Sequence, residues 1–513
     1  MQLSDVLKAI KKNILNIPWP FNTYTIEGVS VNSRMVTADE IFIAVPCPHV
    51  YDNVLSALQK GCKIVIAELE VCDQYFNKHD DVLFLVHENP RLALCHILNF
   101  LYPHKPENLY AVTGTNGKSS TVHFIKQLLE FKCINSATIG TLGVEAELSN
   151  EAMDDISKIL DGVSLTTLDP IRLHKILQKI KEHHVDHVAF EASSHGLHQY
   201  RIHDLKVNRA AFTNLTQDHL DYHRTMESYF EAKKILFTEI LTATGTAFIN
   251  IDDHWGQNLS QSLKSNNTNV VTFSTQNPSS DVQILNIRLS PKGSVFDIRY
   301  GQNIYSGITC SLVADFQISN AITAALLISR DEQDFIKQCK NFNQLKSVEG
   351  RMETFCFNND ISIFVDFAHT PDALEKVLKN VKKVCVGDLH LVFGCGGNRD
   401  VEKRPIMGAI ASTYADNIYI TDDNPRLEDP QKIRNDIIEG VKNGSQKSVQ
   451  IEEFSNRKQA IIEAIHRAKK NDCVVIAGKG HEKFQIIGQT FIPFSDSEIV
   501  KNEINHIEKN DHE

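Results

Sequence analysis

Residues suited to holding a triphosphate stand together at Gly114-Thr115-Asn116-Gly117-Lys118-Ser119-Ser120. An apolar run over 109–114 precedes them, and a helical pattern, TVHFIKQLLEF, follows. Strand, glycine turn and helix start, in that order, aim backbone N–H groups and the positive end of a helix dipole at one point. Lys118 would neutralise β- and γ-phosphate charge, and the Ser119 hydroxyl would meet Mg²⁺. The spacing is a short GxxGK[ST] form, because Val112 stands where the longer GxxxxGK[ST] pattern begins with glycine.

Further polar groups sit where apolar runs end. Glu191 closes HVAFE and offers hard oxygen to a cation such as Mg²⁺, or is simply a solvated strand end. His195, His219 and His223 fall in polar stretches, as helix caps or as zinc ligands. Against zinc, no cysteine lies near and the phosphate loop demands Mg²⁺. Asp423-Asn424-Pro425-Arg426 reads as a turn or as a turn presenting a guanidinium. Such a guanidinium suits a carboxylate held by two hydrogen bonds.

These groups need a scaffold that presents strand ends. Runs at 41–45, 63–68, 187–193, 209–215, 361–367, 389–397, 417–424 and 473–480 alternate with helical patterns. Many end in Gly, Asn, Asp, Glu or Ser, as parallel strands with chemistry at their carboxyl ends do. The fold class is therefore α/β. Period-two alternation over 281–312 reads as antiparallel hairpins inserted in the middle domain. Leu3, Val6, Leu7, Ile10 and Ile14 predict an amphipathic N-terminal helix rather than a signal peptide. Prolines at 103 and 106 and the stretch 346–350 mark two boundaries, giving domains 1–105, 106–346 and 347–513.

Composition sets the outer bounds. At 513 residues the chain has room for two to four domains. Its 53 basic and 64 acidic residues give a net charge of −11, which argues against a nucleic-acid binder. Eleven cysteines with no CxxC pair fit a reducing cytoplasm, and no run of apolar residues is long enough to enter a membrane.

The stretches TGTNGKSS, EASSHGL, NLTQDHLDYH, YFEAKKILF, GRMETF, VDFAHTPDAL, FGCGGNRD, DDNPR and AGKGHE occur in the order found in the Mur ligases of peptidoglycan synthesis. The chain resembles that family over residues 30–490 or so, most of all the members that add the third amino acid. The resemblance implies a smaller α/β N-terminal domain for a UDP-linked substrate, a central P-loop ATPase-type parallel sheet with helices on both faces, and a Rossmann-like C-terminal domain for the amino acid. It implies ATP and Mg²⁺ as cofactors. The carboxylate of UDP-N-acetylmuramoyl-L-alanyl-D-glutamate would attack the γ-phosphate, and an amine would displace phosphate from the acyl phosphate. The implied partners are small molecules only, with no nucleic acid and no membrane insertion, and a cytoplasmic monomer is expected.

By the same resemblance, Gly114 through Ser120, with Asn320, Arg351, Asp366 and His369, would bind ATP. Ser119, Glu191, His219 and Lys233 would hold metal, with Lys118, Glu191, His219 and Lys233 as the catalytic set. Lys233 matches a lysine carboxylated to a carbamate in these enzymes; spacing alone does not choose between it and Lys234. Ser33, Thr166, Thr167, Ser193, Gln199 and Arg201 would take the muramoyl dipeptide. Arg399, Asp423, Asn424, Pro425, Arg426, Gly478 and Glu482 would take diaminopimelate, with Glu482 facing an ammonium. Diaminopimelate differs from lysine by one distal carboxylate, so a site preferring it needs a cation such as Arg426. The chain departs from the family at Asn32 (usually Asp), in the 46–52 loop, at Phe367 (usually Tyr), and in the Leu-Asp-Pro that follows Thr166-Thr167. The alternatives are L-lysine as amine, a folylpolyglutamate-type ligase, a P-loop ATPase without ligation, and a zinc hydrolase.

Overall fold

A computed structural model describes residues 2–10, 24–163, 165–357, 361–444 and 449–510. It holds three main sheets. The first contains β1 (Gly28–Ser30), β2 (Glu40–Ile43), β3 (Ile64–Ala67) and β4 (Leu83–Val86), in that order and all parallel. The second contains β5 (Asn108–Thr113), β6 (Ser136–Gly140), β7 (Gly143–Ala146), β8 (His187–Glu191), β9 (Val207–Phe212), β10 (Leu241–Asn250), β11 (Asn269–Ser274), β12 (Val282–Ser290), β13 (Gly293–Tyr300) and β14 (Asn303–Cys310). Its order is 14-13-12-11-10-9-5-8-6-7, with β5 at the centre between parallel β8 and β9. The third contains β15 (Glu353–Phe357), β16 (Ile361–Asp366), β17 (Leu389–Phe393), β18 (Asn417–Thr421), β19 (Gln450–Phe454) and β20 (Cys473–Ala477), ordered 15-16-20-17-18-19. A hairpin of β21 (Phe484–Ile487) and β22 (Thr490–Pro493) stands apart from it. Among the described residues no sheet crosses the segments 103–107 or 346–350.

The apolar runs become two-sided strands because helices cover both faces. Along β5, Tyr110 and Val112 enter one core, with Phe124, Ile125 and Ile322, while Leu109 and Ala111 enter another, with Ile176, Leu177 and Phe190. The third sheet repeats the division: Leu391 and Phe393 pack to one side of β17 and Val392 to the other. The segment 281–312 does form antiparallel strands, but not a separate insertion. β12 pairs parallel with β11, so the hairpins prolong the edge of the central sheet. The N-terminal helix covers Leu3–Ala9, with Leu3, Val6 and Leu7 buried; Ile14 lies outside the described residues. Among the described residues no helix is long and apolar enough to cross a membrane, and all eleven cysteines are free thiols.

One buried ion pair anchors the C-terminal sheet where it meets the candidate site. Arg457 and Asp496 have fully buried side chains and share two 2.8 Å hydrogen bonds. Arg457 Nη2 also donates to the carbonyl of Ala477, the last residue of β20. Removing one partner leaves a buried charge uncompensated. Asp496→Ala should therefore lower unfolding free energy by about 3–5 kcal/mol, measured by denaturant titration.

Candidate functional site

The phosphate loop connects β5 to the helix Lys118–Glu130. Gly117 has φ +87°, and a Cβ there would come within 2.5 Å of Asn320 Oδ1, so only glycine lets the loop lie against that side chain. Asn116 N donates to Asn214 Oδ1 (3.0 Å), and Thr213 Oγ1 donates to the Asn116 carbonyl (2.7 Å). Lys118 Nζ donates to the carbonyls of Gly114 (2.9 Å) and Thr115 (2.8 Å). Desolvation lowers the Lys118 pKa, against the charges of Glu191 and Asp218.

Lys233 meets the same carbonyl. It lies on the helix Met226–Ile235, is 1% exposed, and donates to Gly114 O at 2.8 Å. Lys234 on the same helix points outward to Glu231. Helix geometry thus turns Lys233 inward and Lys234 outward. The Lys233 ammonium stands 4.5 Å from the Tyr229 ring centroid. Burial, reinforced by the Lys118 charge, drives its pKa well below the ordinary lysine value.

Glu191, at the end of β8, is 2% exposed and organises the opposite wall. Its Oε1 accepts from Ser119 Oγ (2.9 Å) and Thr141 N (2.8 Å), and its Oε2 accepts from Thr141 Oγ1 (3.2 Å). Thr141 Oγ1 in turn accepts from Thr166 Oγ1 (3.1 Å). Thr167 Oγ1 contacts the Glu191 carbonyl (2.8 Å) and Ser193 Oγ (2.9 Å). Arg201 Nη1 donates to the Thr167 carbonyl (2.6 Å), and its Nη2 donates to Gln199 Oε1 (2.8 Å). Five of the six predicted dipeptide residues thus form one network through Glu191. Ser33 is bonded to Asn53 instead, within the first sheet's domain. The Leu-Asp-Pro departure has a local cause: Asp169 caps the helix Pro170–Glu182, with the proline at its first turn.

His219 has φ +53° and heads the short helix Leu220–His223. Burial lowers its pKa, against the charge of Asp218. His195 packs edge-on to His219 and His223, with centroids 5.0 and 5.4 Å away. Among the described residues no three His, Cys, Asp or Glu side chains are grouped to hold a metal by themselves.

The third sheet brings Arg351 and Asp366 to the same cavity as Asn116, Gly117, Ser120 and Asn320, a space of about 340 Å³. Asp366 accepts from the backbone N–H groups of Met352 (2.7 Å) and Ala368 (2.8 Å). Arg351 lies over the Phe367 ring at 4.4 Å, and His369 packs on that ring at 4.5 Å. Phenylalanine therefore keeps the flat stacking surface at a position where the family usually has tyrosine. Asn116 Nδ2 reaches Asp372 Oδ2 at 3.5 Å, joining the phosphate loop to the first turn of the helix Pro371–Val384.

The remaining residues gather at the carboxyl ends of β17, β18 and β20, as an open parallel sheet requires. A Cβ at Gly396 would lie 2.9 Å from Arg426 Nη1 and 3.9 Å from Arg399 Cγ, so both arginines flank it. Arg426 Nη1 donates to the Gly397 carbonyl (3.0 Å). Asn424 Nδ2 donates to Glu482 Oε2 (2.8 Å). Pro425 is buried beside them. Gly478 has φ +114°, and a Cβ on it would press within 2.7 Å of Asp423 Oδ2. The expected picture of Glu482 as a free partner for ammonium changes in one respect: Lys479 Nζ already donates to its Oε2 at 2.8 Å.

Sequence reasoning missed Thr141, Asn214, Asp372 and Lys479. Thr141 and Asn214 follow strands β6 and β9, so the strand-end rule that found Glu191 could have found them. Lys479 carries no local signal of burial, because a lysine between two glycines ordinarily reads as an exposed turn.

Burial raises the Asp366 carboxyl to about 6 despite Arg351 and the two N–H donors. The folded protein then holds this proton to higher pH than the unfolded chain, so stability from this group falls as pH rises from about 4 to 6. Between pH 4 and 7.5, wild type should lose on the order of 2–3 kcal/mol relative to Asp366→Asn, compared by denaturant midpoints.

Comparisons with known proteins agree with this geometry. Residues 112–328 match the Mur ligase middle domain, and 350–480 match the Mur ligase, glutamate ligase domain. The UDP-N-acetylmuramoyl-L-alanyl-D-glutamate--2,6-diaminopimelate ligase of Rickettsia typhi is 41% identical over 95% of both chains. A solved structure of a ligase with that same name superposes with a TM-score of 0.69 at 30% identity, covering 98% of this chain and 99% of the other. A folylpolyglutamate synthase from Mycobacterium tuberculosis, complexed with ADP, shares the fold at TM-score 0.60 and 16% identity, but covers only 75% of this chain and 91% of its own. With both domain models matched and a relative this similar along nearly its whole length, the chain belongs to the Mur ligase family.

Proposed function

We propose that this ligase uses ATP to join meso-2,6-diaminopimelate to the D-glutamyl carboxylate of UDP-N-acetylmuramoyl-L-alanyl-D-glutamate, as a cytoplasmic monomer in peptidoglycan synthesis. The observation that carries the reading is Arg426, in Asp-Asn-Pro-Arg, beside Arg399 at the strand ends of the third domain, in a chain 41% identical to a diaminopimelate ligase. The Arg426 guanidinium beside Gly396, with the Arg399 stem on the same glycine, suits the distal carboxylate that lysine lacks.

A carboxylate is a poor electrophile and needs activation by phosphoryl transfer. The triphosphate, the carboxylate and the tetrahedral intermediate crowd negative charge into one place, and stabilising that charge is the main task. Gly114 to Ser120 cradle the phosphates, and Lys118 supplies charge from below. Asn320, Arg351, Asp366 and His369 close on the nucleotide from the other side. Thr166, Thr167, Ser193, Gln199 and Arg201 orient the dipeptide, with Ser33 toward its UDP end. Closure shields the acyl phosphate from water.

The residues present suit Mg²⁺. Ser119 Oγ and Glu191 Oε1 are hard oxygens 2.9 Å apart beside the phosphate loop. Mg²⁺ typically takes one or two protein oxygens and completes its shell with phosphate and water. Ser119, Glu191, His219 and a carbamylated Lys233 would hold it, and when bound it would spread the charge of the phosphate oxygens. Carbamylation fits Lys233 because a buried, neutral amine is the form that adds CO₂. The addition forms an N–C bond and releases one proton, leaving an anion on the side chain that meets Gly114 O.

The functional test is product mass and phosphate release with ATP, the muramoyl dipeptide and an amino-acid panel. Phosphate release should need both dipeptide and diaminopimelate; release without an amine would indicate a plain ATPase, and release with folate a folate-type ligase. Arg426→Ala should weaken use of diaminopimelate by about 1.5–3 kcal/mol, roughly ten- to hundredfold in kcat/KM, with ATP binding unchanged. Lys233→Ala should be nearly inactive and partly rescued by added short carboxylates; wild-type rates in that variant would remove the carbamate from the mechanism.

A further inference from the structure

Lys479 is the buried lysine that the ligation chemistry leaves unused. It is 0% exposed and sits between Gly478 (φ +114°) and Gly480 (φ +51°). Its ammonium donates to Asn424 Oδ1 (3.0 Å) and to Glu482 Oε2 (2.8 Å). Asn424 Oδ1 accepts a second hydrogen bond from Ile486 N (2.9 Å). Its Nδ2 is thereby turned to Glu482 Oε2 (2.8 Å). The carbonyl of Ile486 then accepts from Arg426 N (3.0 Å), and Gly488 N donates to the Arg426 carbonyl (2.8 Å). Arg426 itself is held at φ +54°.

An ammonium can only donate, so it decides which end of the Asn424 amide faces it. With Asn424 Oδ1 committed to two donors, the amide nitrogen can point only at Glu482. Glu482 therefore has one oxygen occupied by internal donors, while its side chain remains 34% exposed for a further cation. Burial alone would raise the Glu482 carboxyl, but the Lys479 charge and hydrogen bonds more than offset it, so Glu482 stays ionised. The same chain of bonds runs through Ile486 to the backbone of Arg426. The two ends of the site, anionic and cationic, are thus tied together through one lysine.

We propose that Lys479 is a positioning residue for selection of the incoming diamino acid: it presents Glu482 to the distal ammonium and fixes the Asn424 and Arg426 turn that meets the distal carboxylate. This rests on the reading that these residues form the diaminopimelate site. Wild-type enzyme is therefore tested first with the amino-acid panel; failure to ligate diaminopimelate would refute that reading, independently of Lys479.

If wild type does ligate it, Lys479→Met, which keeps the length and removes the donors, should raise KM for diaminopimelate at least tenfold. KM for ATP and for the muramoyl dipeptide should move less than twofold. Lys479→Arg, which keeps charge and donors, should recover part of the loss. In Lys479→Met/Glu482→Gln, the two KM effects should not multiply, because the lysine acts through the carboxylate. An unchanged diaminopimelate KM, a parallel rise in all three KM values, or full multiplication in the double variant would each overturn the proposal. Should Lys479→Met not fold, Lys479→Gln replaces it. Failure of both to fold would assign the residue to stability alone and overturn the proposal as well.

Discussion

Two lysine side chains, Lys118 and Lys233, donate hydrogen bonds to the carbonyl oxygen of Gly114. Lys118 reaches it from the start of its helix, and Lys233 from a helix more than a hundred residues later. Neither cation shares a salt bridge with a carboxylate among the described residues; each is held by backbone oxygen, and burial makes both reluctant to stay charged. Such a site gains most from anions arriving together, which is what phosphoryl transfer to a carboxylate supplies. Glu191, whose charge acts on Lys118, is bonded to Ser119 and Thr141, and Asp218 acts on both lysines. The excess of positive potential is local, in a chain whose net charge is −11.

The surrounding architecture protects this arrangement. The central and third sheets contribute the carboxyl ends of parallel strands, where backbone N–H groups and helix starts are free to face a ligand. The central sheet supplies the phosphate loop and Glu191, and the third sheet supplies Asp366, Asp423 and Gly478. Residues of both meet in the cavity that joins Asn320 to Arg351. The third sheet keeps its own rigid support in the Arg457–Asp496 pair, which holds the end of β20 next to Gly478. The charges of Arg457 and Asp496, costly to bury singly, are buried as a pair beside the end of β20.

Much of this was legible in the chain. Short two-sided apolar runs predicted parallel strands, and their polar endings pointed to Glu191, Asp366 and Asp423. The glycine loop announced an anion cradle. Less was legible where meaning depends on a partner far away in sequence. The hairpins over 281–312 were visible, yet their union with β11 depended on which edge of the sheet stood free. Thr166 and Thr167 could not be tied to Glu191 until folding closed the gap. Glu482 looked like a vacant carboxylate, because nothing local showed that Lys479 would be buried against it.

The sequence by itself determined the α/β class, the phosphate loop, the ordered series of polar strand ends and the presence of an arginine in the Asp-Asn-Pro-Arg turn. Those features rest on short-range periodicity and on side-chain chemistry that needs no distant neighbour. Only the tertiary structure decided that Lys233 rather than Lys234 turns inward, that Ser33 is bonded apart from the Glu191 network, and that Lys479 is buried against Asn424 and Glu482. Burial and hydrogen-bond partnership are properties of packed surfaces, so they become defined only when separate strands and helices meet.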